Sequence, residues 1–225
     1  MLMHPVNELT FQVTIESTSP LLVKEARYNA ELKKNWARSE EHKKLMPDAI
    51  PISRAAEQQV RDAVTDKTDP RGAVSKLDFF LPGSSIRGVC RAHLERTLRS
   101  LDRPESPRVC DPFEDDAATY AASCSAVLTK RRKEDKEFRP YASSCPVCRL
   151  FGSTLQSSRI TFSDGTWINR DGKLLVQREH VRIDRRTGAV GGPPLKFLGL
   201  LGARFQFEMK LRNFELSHVM LAGSC

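Results

Sequence analysis

The chain has 225 residues, 40% of them hydrophobic, and a formal net charge of +8. That length buries one substantial core, no apolar run is long enough to cross a bilayer, and Met1 to Glu8 lacks the charged start and apolar centre of a secretory signal. The positive balance points to a polyanionic partner, and an aromatic content of only 7% favours contacts to phosphate and ribose over a platform that stacks every base.

From the N-terminus, Leu9 to Ile15 alternates, with Leu9, Phe11, Val13 and Ile15 on one face, which predicts a half-buried strand ended near Pro20. Lys24 to Lys76 is long, polar and mixed. Ala55 to Val64 has a helical pattern, but Pro47, Pro51, Pro70 and Gly72 interrupt the remainder. A loop of this size inside a domain is usually functional or disordered. Leu77 to Leu81 predicts a short strand, and a helix follows from Ser84 or Ser85 as N-cap to about Leu101. Ile86, Cys90, Leu94, Leu98 and Leu101 form its apolar stripe, while Arg87, Arg91, Glu95 and Arg99 share another face; Pro104 and Pro107 end it.

Cys110 to Cys148 is a polar excursion containing the charged run Lys130 to Arg139. Arg159 to Phe162 predicts a strand that turns at Asp164-Gly165, and Trp167 to Val176 extends it through a second turn at Asp171-Gly172. Gln177 to Lys196 carries five Lys and Arg residues and a Gly-Gly-Pro-Pro break. Arg204 to Leu211 alternates as a strand, and Leu216 to Leu221 begins a helical pattern. There is no solenoid-type repeat.

Six cysteines without a secretory signal favour metal binding over disulfides. Cys145-Pro-Val-Cys148 has the spacing by which two thiolates reach one tetrahedral ion, and Cys110 and Cys124 in the same excursion can complete a four-sulfur site. The bland alternatives are reduced buried thiols or a redox pair, and nothing around the knuckle has the strand–helix setting of a thioredoxin-like motif. A zinc ion here is structural, pinning a loop that has little apolar content of its own. Cys90 belongs to the apolar helix face.

Pro82-Gly83-Ser84-Ser85 brings together a permissive glycine, two hydroxyls and free helix amides, the parts that receive a phosphate. Arg87 and Arg91 add charge one and two turns in. Ordinary serine capping of a surface helix is the competing reading.

In order, P-G-S-S-I-R-G with its basic helix, C-P-V-C-R-L-F-G-S, R-I-T-F-S-D and H-V-R-I-D-R-R-T-G-A resemble the RAMP superfamily of CRISPR proteins. The pattern is most like the repeated backbone subunit of type III effectors, including zinc-bearing versions fused into single-chain effectors. The resemblance implies one α+β domain over 1–225 with a modified ferredoxin-like (RRM-like) fold, a zinc-binding insertion at 108–149 and a β-hairpin thumb at 177–198. By position, Gly83, Ser84, Ser85, Arg87 and Arg91 would lie along guide RNA, with Phe151, Gly152 and Ser153 nearby. His180, Arg182, Arg185 and Arg186 would lie along the thumb, which pushes between nucleotides of the guide–target duplex; a solvated charged hairpin is the alternative.

Active members cleave target RNA with a loop aspartate and a divalent metal. Asp62-Ala-Val-Thr-Asp66-Lys-Thr-Asp69-Pro70 is a loose counterpart of their loop, with one extra residue, so Asp62 is the first candidate and Asp66 the second, with Mg²⁺ as the ion. Inactive members leave open whether this chain is an Mg²⁺-dependent endoribonuclease or a scaffold. The family's second helix and last strand have no counterpart before Cys225, so the chain is expected to be part of a larger fused protein or to be completed by a neighbour. Expected partners are CRISPR RNA, its complementary target RNA and other effector subunits or domains, in the prokaryotic cytoplasm, with no membrane. A zinc-stabilised nucleic-acid-binding protein unrelated to CRISPR is the alternative from another class.

Overall fold

Alternation of apolar and polar side chains builds the sheet. In β7 (Arg204–Arg212), Phe205, Phe207, Met209 and Leu211 are buried while Arg204, Gln206 and Arg212 face water, the period-two pattern of a strand with one covered face. The protein is described here by a computed structural model covering residues 7–101, 109–119, 122–135, 137–170 and 175–223. β1 (Glu8–Glu16), β2 (Phe80–Leu81), β3 (Ile160–Phe162) and β4 (Gly165–Trp167) complete a five-stranded sheet ordered β1-β7-β4-β2, with β3 also on β7. The pairs β2–β4, β3–β7 and β4–β7 are antiparallel. Together with the helices, this is the mixed α+β architecture expected from the sequence.

The Asp164-Gly165 hairpin turn expected from the sequence is not there. β3 and β4 do not pair with each other; both run antiparallel to β7, Phe162 opposite Met209 and Thr166 opposite Gln206. Three residues thus oppose two, which is a β-bulge in one continued strand. Ser163 holds it, its N–H donating to Glu208 O (2.9 Å) and its Oγ accepting from Glu208 N (2.8 Å). The Asp171-Gly172 turn, Pro104 and Pro107 lie outside the described residues.

The chain gathers into two compact units. The first comprises the chain up to Gln12, Gly83–Ser163 and the chain from Glu208. Its long helix α5 (Gly83–Ser100) packs on β3, with Leu94, Val147, Leu150, Phe151, Ile160 and Leu211 buried. The helix starts at Gly83, so Ser84 and Ser85 sit in its first turn rather than at the N-cap. Leu101, expected on the buried stripe, is exposed. Two further helices, α6 (Cys124–Glu134) and α7 (Pro146–Phe151), frame the cysteines, and α8 (Leu216–Ala222) forms where a helix was expected.

The second unit comprises Val13–Pro82 and Asp164–Phe207. The polar stretch after β1 is folded here. It forms α1 (Ala30–Trp36), α2 (Glu40–Leu45), α3 (Glu57–Val64) and α4 (Pro70–Val74), of which the sequence pattern shows only the third. Asn29, Ser39 and Asp69 cap three of them by accepting from backbone N–H groups at Leu32, His42 and Gly72. Tyr28, Met46 and Ile50 are fully buried beneath them, and Tyr28 stacks on Trp36 at 5.9 Å. Trp167 lies between Phe79 (5.8 Å) and Phe205 (6.5 Å). The same unit contains a two-stranded antiparallel hairpin, β5 (Leu175–His180) with β6 (Leu195–Leu200), in register from Leu175↔Leu200 to His180↔Leu195.

Candidate metal centre, glycine turn and basic hairpin

In the first unit, the Sγ atoms of Cys110, Cys124, Cys145 and Cys148 all lie within 4.8 Å of one another. Tetrahedral thiolates at about 2.3 Å from zinc stand roughly 3.8 Å apart. Cys110 is 3.7 Å from both Cys145 and Cys148, so the donors present suit such an ion. Helix starts arrange them. Cys124 is the first residue of α6, Cys145 is the N-cap of α7, and Cys145 Sγ accepts from Cys148 N at 3.4 Å. Amides at helix starts favour thiolate over thiol. Hydrogen bonds from Cys110, Cys124 and Cys148 hold the Cys145 thiol far below its ordinary range. Among the described residues, no other group of three or more His, Cys, Asp or Glu side chains gathers in this way.

The glycine turn lies in the same unit. A Cβ on Gly83 would stand 2.8 Å from Ser163 O and closer still to Phe162 O, so the helix can begin this near the strand only with glycine. Ser84 is exposed and Ser85 half-buried. The Arg87 guanidinium donates to Phe151 O and lies 5.9 Å from the Phe151 ring. Arg91 is engaged as well: Nε donates to Glu95 Oε1 (2.8 Å), one Nη to Gly152 O (3.4 Å), and the other sits 3.6 Å from Cys148 Sγ. Arg99 donates to Cys110 O at 2.7 Å. The arginine stripe therefore braces the C-P-V-C-R-L-F-G-S segment. Buried Glu95, which sequence reading left without a role, pairs with Arg91 and Arg99; its position four residues from each was the available signal. Phe151 is fully buried, Gly152 caps α7 at φ 81°, and Ser153 Oγ is buried without a hydrogen-bond partner among the described residues.

His180, Arg182, Arg185 and Arg186 belong to the hairpin of the second unit, all exposed. Asp184 shapes its tip: Oδ1 accepts from Arg186 N and Thr187 N, both at 2.9 Å, and those bonds hold its carboxyl below the usual range. Gly188 at φ 67° closes the turn, and Gly191 N donates to Arg182 O at 2.7 Å. Among the described residues Arg182, Arg185 and Arg186 have no acidic partner. The hairpin base is clamped by Asp48, which accepts from Lys196 N (2.7 Å) and from Lys33 Nζ (2.6 Å). His180 packs edge-on against Phe197 at 4.2 Å.

The two aspartates differ. Asp62 is exposed on α3 and accepts from Gln58 Nε2 at 2.8 Å. Asp66 Oδ1 accepts from Asp69 N, Thr68 N and Thr68 Oγ1, all at 2.8 Å, bonds that hold its carboxyl below the ordinary range and commit it to shaping a turn.

The sequence matches the family model of the RAMP superfamily over residues 14–221. The chain belongs to the RAMP superfamily. No curated protein sequence matches it. Among solved structures, this RAMP chain is similar to a chain in the cryo-EM structure of the type III-B Cmr-beta complex bound to cognate target RNA, at 12% identity and a TM-score of 0.47, over 96% of its own length. It spans about half of that chain (51%). No described helix of the RAMP protein is long and apolar enough to cross a membrane.

Proposed function

We propose that this RAMP protein binds CRISPR RNA as a backbone subunit or domain of a type III effector, in the cytoplasm of a prokaryote. The observation that carries the reading is the exposed hairpin, in which Arg182, Arg185 and Arg186 have no acidic partner among the described residues, on a chain that belongs to this superfamily. Arginines free of carboxylates attract phosphate without reading base sequence. On this reading, Gly83, Ser84 and Ser85 bring the first turn of α5 against the guide backbone. Arg87, Arg91 and the Phe151-Gly152-Ser153 segment hold that turn in place. Residues 177–198 act as a thumb that enters the guide–target duplex, residues 108–149 form a zinc-bearing insertion, and the sheet is a modified ferredoxin-like one within a single RAMP-type domain. A zinc ion held by Cys110, Cys124, Cys145 and Cys148 would supply structure only, since four thiolates leave no open position.

The test is the RNA that co-purifies from cells expressing the protein with a CRISPR array and the other effector components. The reading requires RNA of uniform length with a constant repeat-derived end; random fragments or none would refute it. For target cleavage, Asp62 is the stronger candidate because its carboxylate is exposed and less committed than that of Asp66. A carboxylate there would hold Mg²⁺ or orient the attacking 2′-hydroxyl. In the assembled effector, Asp62→Ala is expected to abolish cutting while target binding persists. Unchanged cutting in both Asp62→Ala and Asp66→Ala removes both residues from the mechanism.

A further inference from the structure

We propose that the C-terminal half of α6 is a separate phosphate-binding surface for single-stranded RNA, held in place by the four-cysteine centre. The inference rests on the RNA-binding and metal readings above and adds a site that neither assigns. Lys130, Arg131, Arg132 and Lys133 are all exposed, and among the described residues none is in an ion pair. Cations in a last turn ease the helix dipole, but that needs only one or two. Four consecutive positions, turning about 100° each, surround the helix end with charge instead of lining a face that packs on the fold. Glu134 and Asp135 follow; Asp135 is spent on a turn, accepting from Glu137 N at 2.9 Å, and the segment stays net positive.

The chemistry of the surface selects its partner. From Thr129 to Asp135 there is no apolar or aromatic side chain, so an acidic protein would find no anchor to bury. A phosphate chain needs none. The helix is short for independent stability, 11 residues, and only Cys124 and Leu128 are buried. Both belong to the cluster with Cys110 and Cys148, against which Phe138, Cys145 and Leu155 pack. An ion held by those thiolates would therefore also anchor the helix carrying the charge.

The experiment uses the full chain and a labelled single-stranded RNA, with affinity measured across a potassium chloride series. The variant carries Lys130→Gln, Arg131→Gln, Arg132→Gln and Lys133→Gln. Each lost phosphate contact flattens the plot of log affinity against log salt by about 0.7, so the variant's slope is expected to fall by about 2 or more with bound metal unchanged. After the metal is stripped with a chelator, the gap between wild type and variant should largely close. A wild-type slope in the variant overturns the proposal, as does a loss of affinity with no change of slope. A gap undiminished by chelation overturns the anchoring by the metal centre. A wild-type chain that binds no RNA, or holds no metal, instead sinks the corresponding reading in the preceding section.

Discussion

At Gly152 the backbone adopts φ 81°, and a Cβ there would lie 2.8 Å from both Gln156 O and Ser158 N. Gly152→Ala pays for the left-handed conformation and for the close approach together, and is expected to cost about 2–3 kcal/mol by denaturant unfolding. His218 provides a pH-dependent counterpart. It is buried, its Nδ1 accepts from Glu215 N (3.1 Å), and its Nε2 lies 3.3 Å from Tyr141 Oη, which donates to Glu215 Oε1 at 2.6 Å. Burial first, then Arg159 and Arg149, holds its pKa below the ordinary 6.5, against an opposing pull from Glu215. Above 6.5 the ring is neutral both folded and unfolded, so its contribution is complete. As pH falls below 6.5 the unfolded chain takes up the proton first, and stability declines toward the lower folded value. Thermal melts at falling pH should show that decline, and His218→Gln should shrink it. The cysteine knuckle was legible in the sequence because its ligands are fixed by local spacing. The engagement of Arg87 and Arg91 was not, because Phe151 O and Gly152 O lie more than sixty positions away in the chain and no local pattern announces them.

Elements with a strong period were readable: β1, β7, α5 and α8 fall where alternation or helical spacing puts them. The helices α1 and α2 were not, since they are short and polar and owe their existence to capping by Asn29 and Ser39 and to packing over Tyr28 and Met46. The bulge at Ser163 was misread as a turn because Asp-Gly is equally at home in both; only the partner strand distinguishes them. Two predictions belong to this scale. Asp184→Ala removes the acceptor that orders the hairpin tip, so the Arg186 and Thr187 amides should exchange with deuterium faster, by about tenfold at most for bonds of ordinary net strength. Cys145→Ala deletes a ligand and the N-cap of α7 at once. Bound zinc should fall from about one per chain to near none, and limited proteolysis should open first within α6.

At the scale of the whole molecule, the charge of +8 is not spread evenly: among the described residues, the exposed cations without acidic partners include those of the hairpin tip and of the end of α6. Binding driven by such residues depends on counterion release and hence on salt. Replacing Arg182, Arg185 and Arg186 by Gln should flatten the salt dependence of RNA affinity by about 2 in slope, whatever the RNA sequence. Membership of the superfamily was legible because four segments recur in order along the chain, whereas the division into two units was not, since each unit is assembled from stretches far apart in sequence. That division has a practical corollary. Both tryptophans, Trp36 and Trp167, fall in the second unit and all four clustered cysteines in the first. Indole emission and the ligand-to-metal absorption of a cobalt-substituted centre are thus independent optical gauges, and one titration in a single cuvette can follow the melting of each half by its own colour.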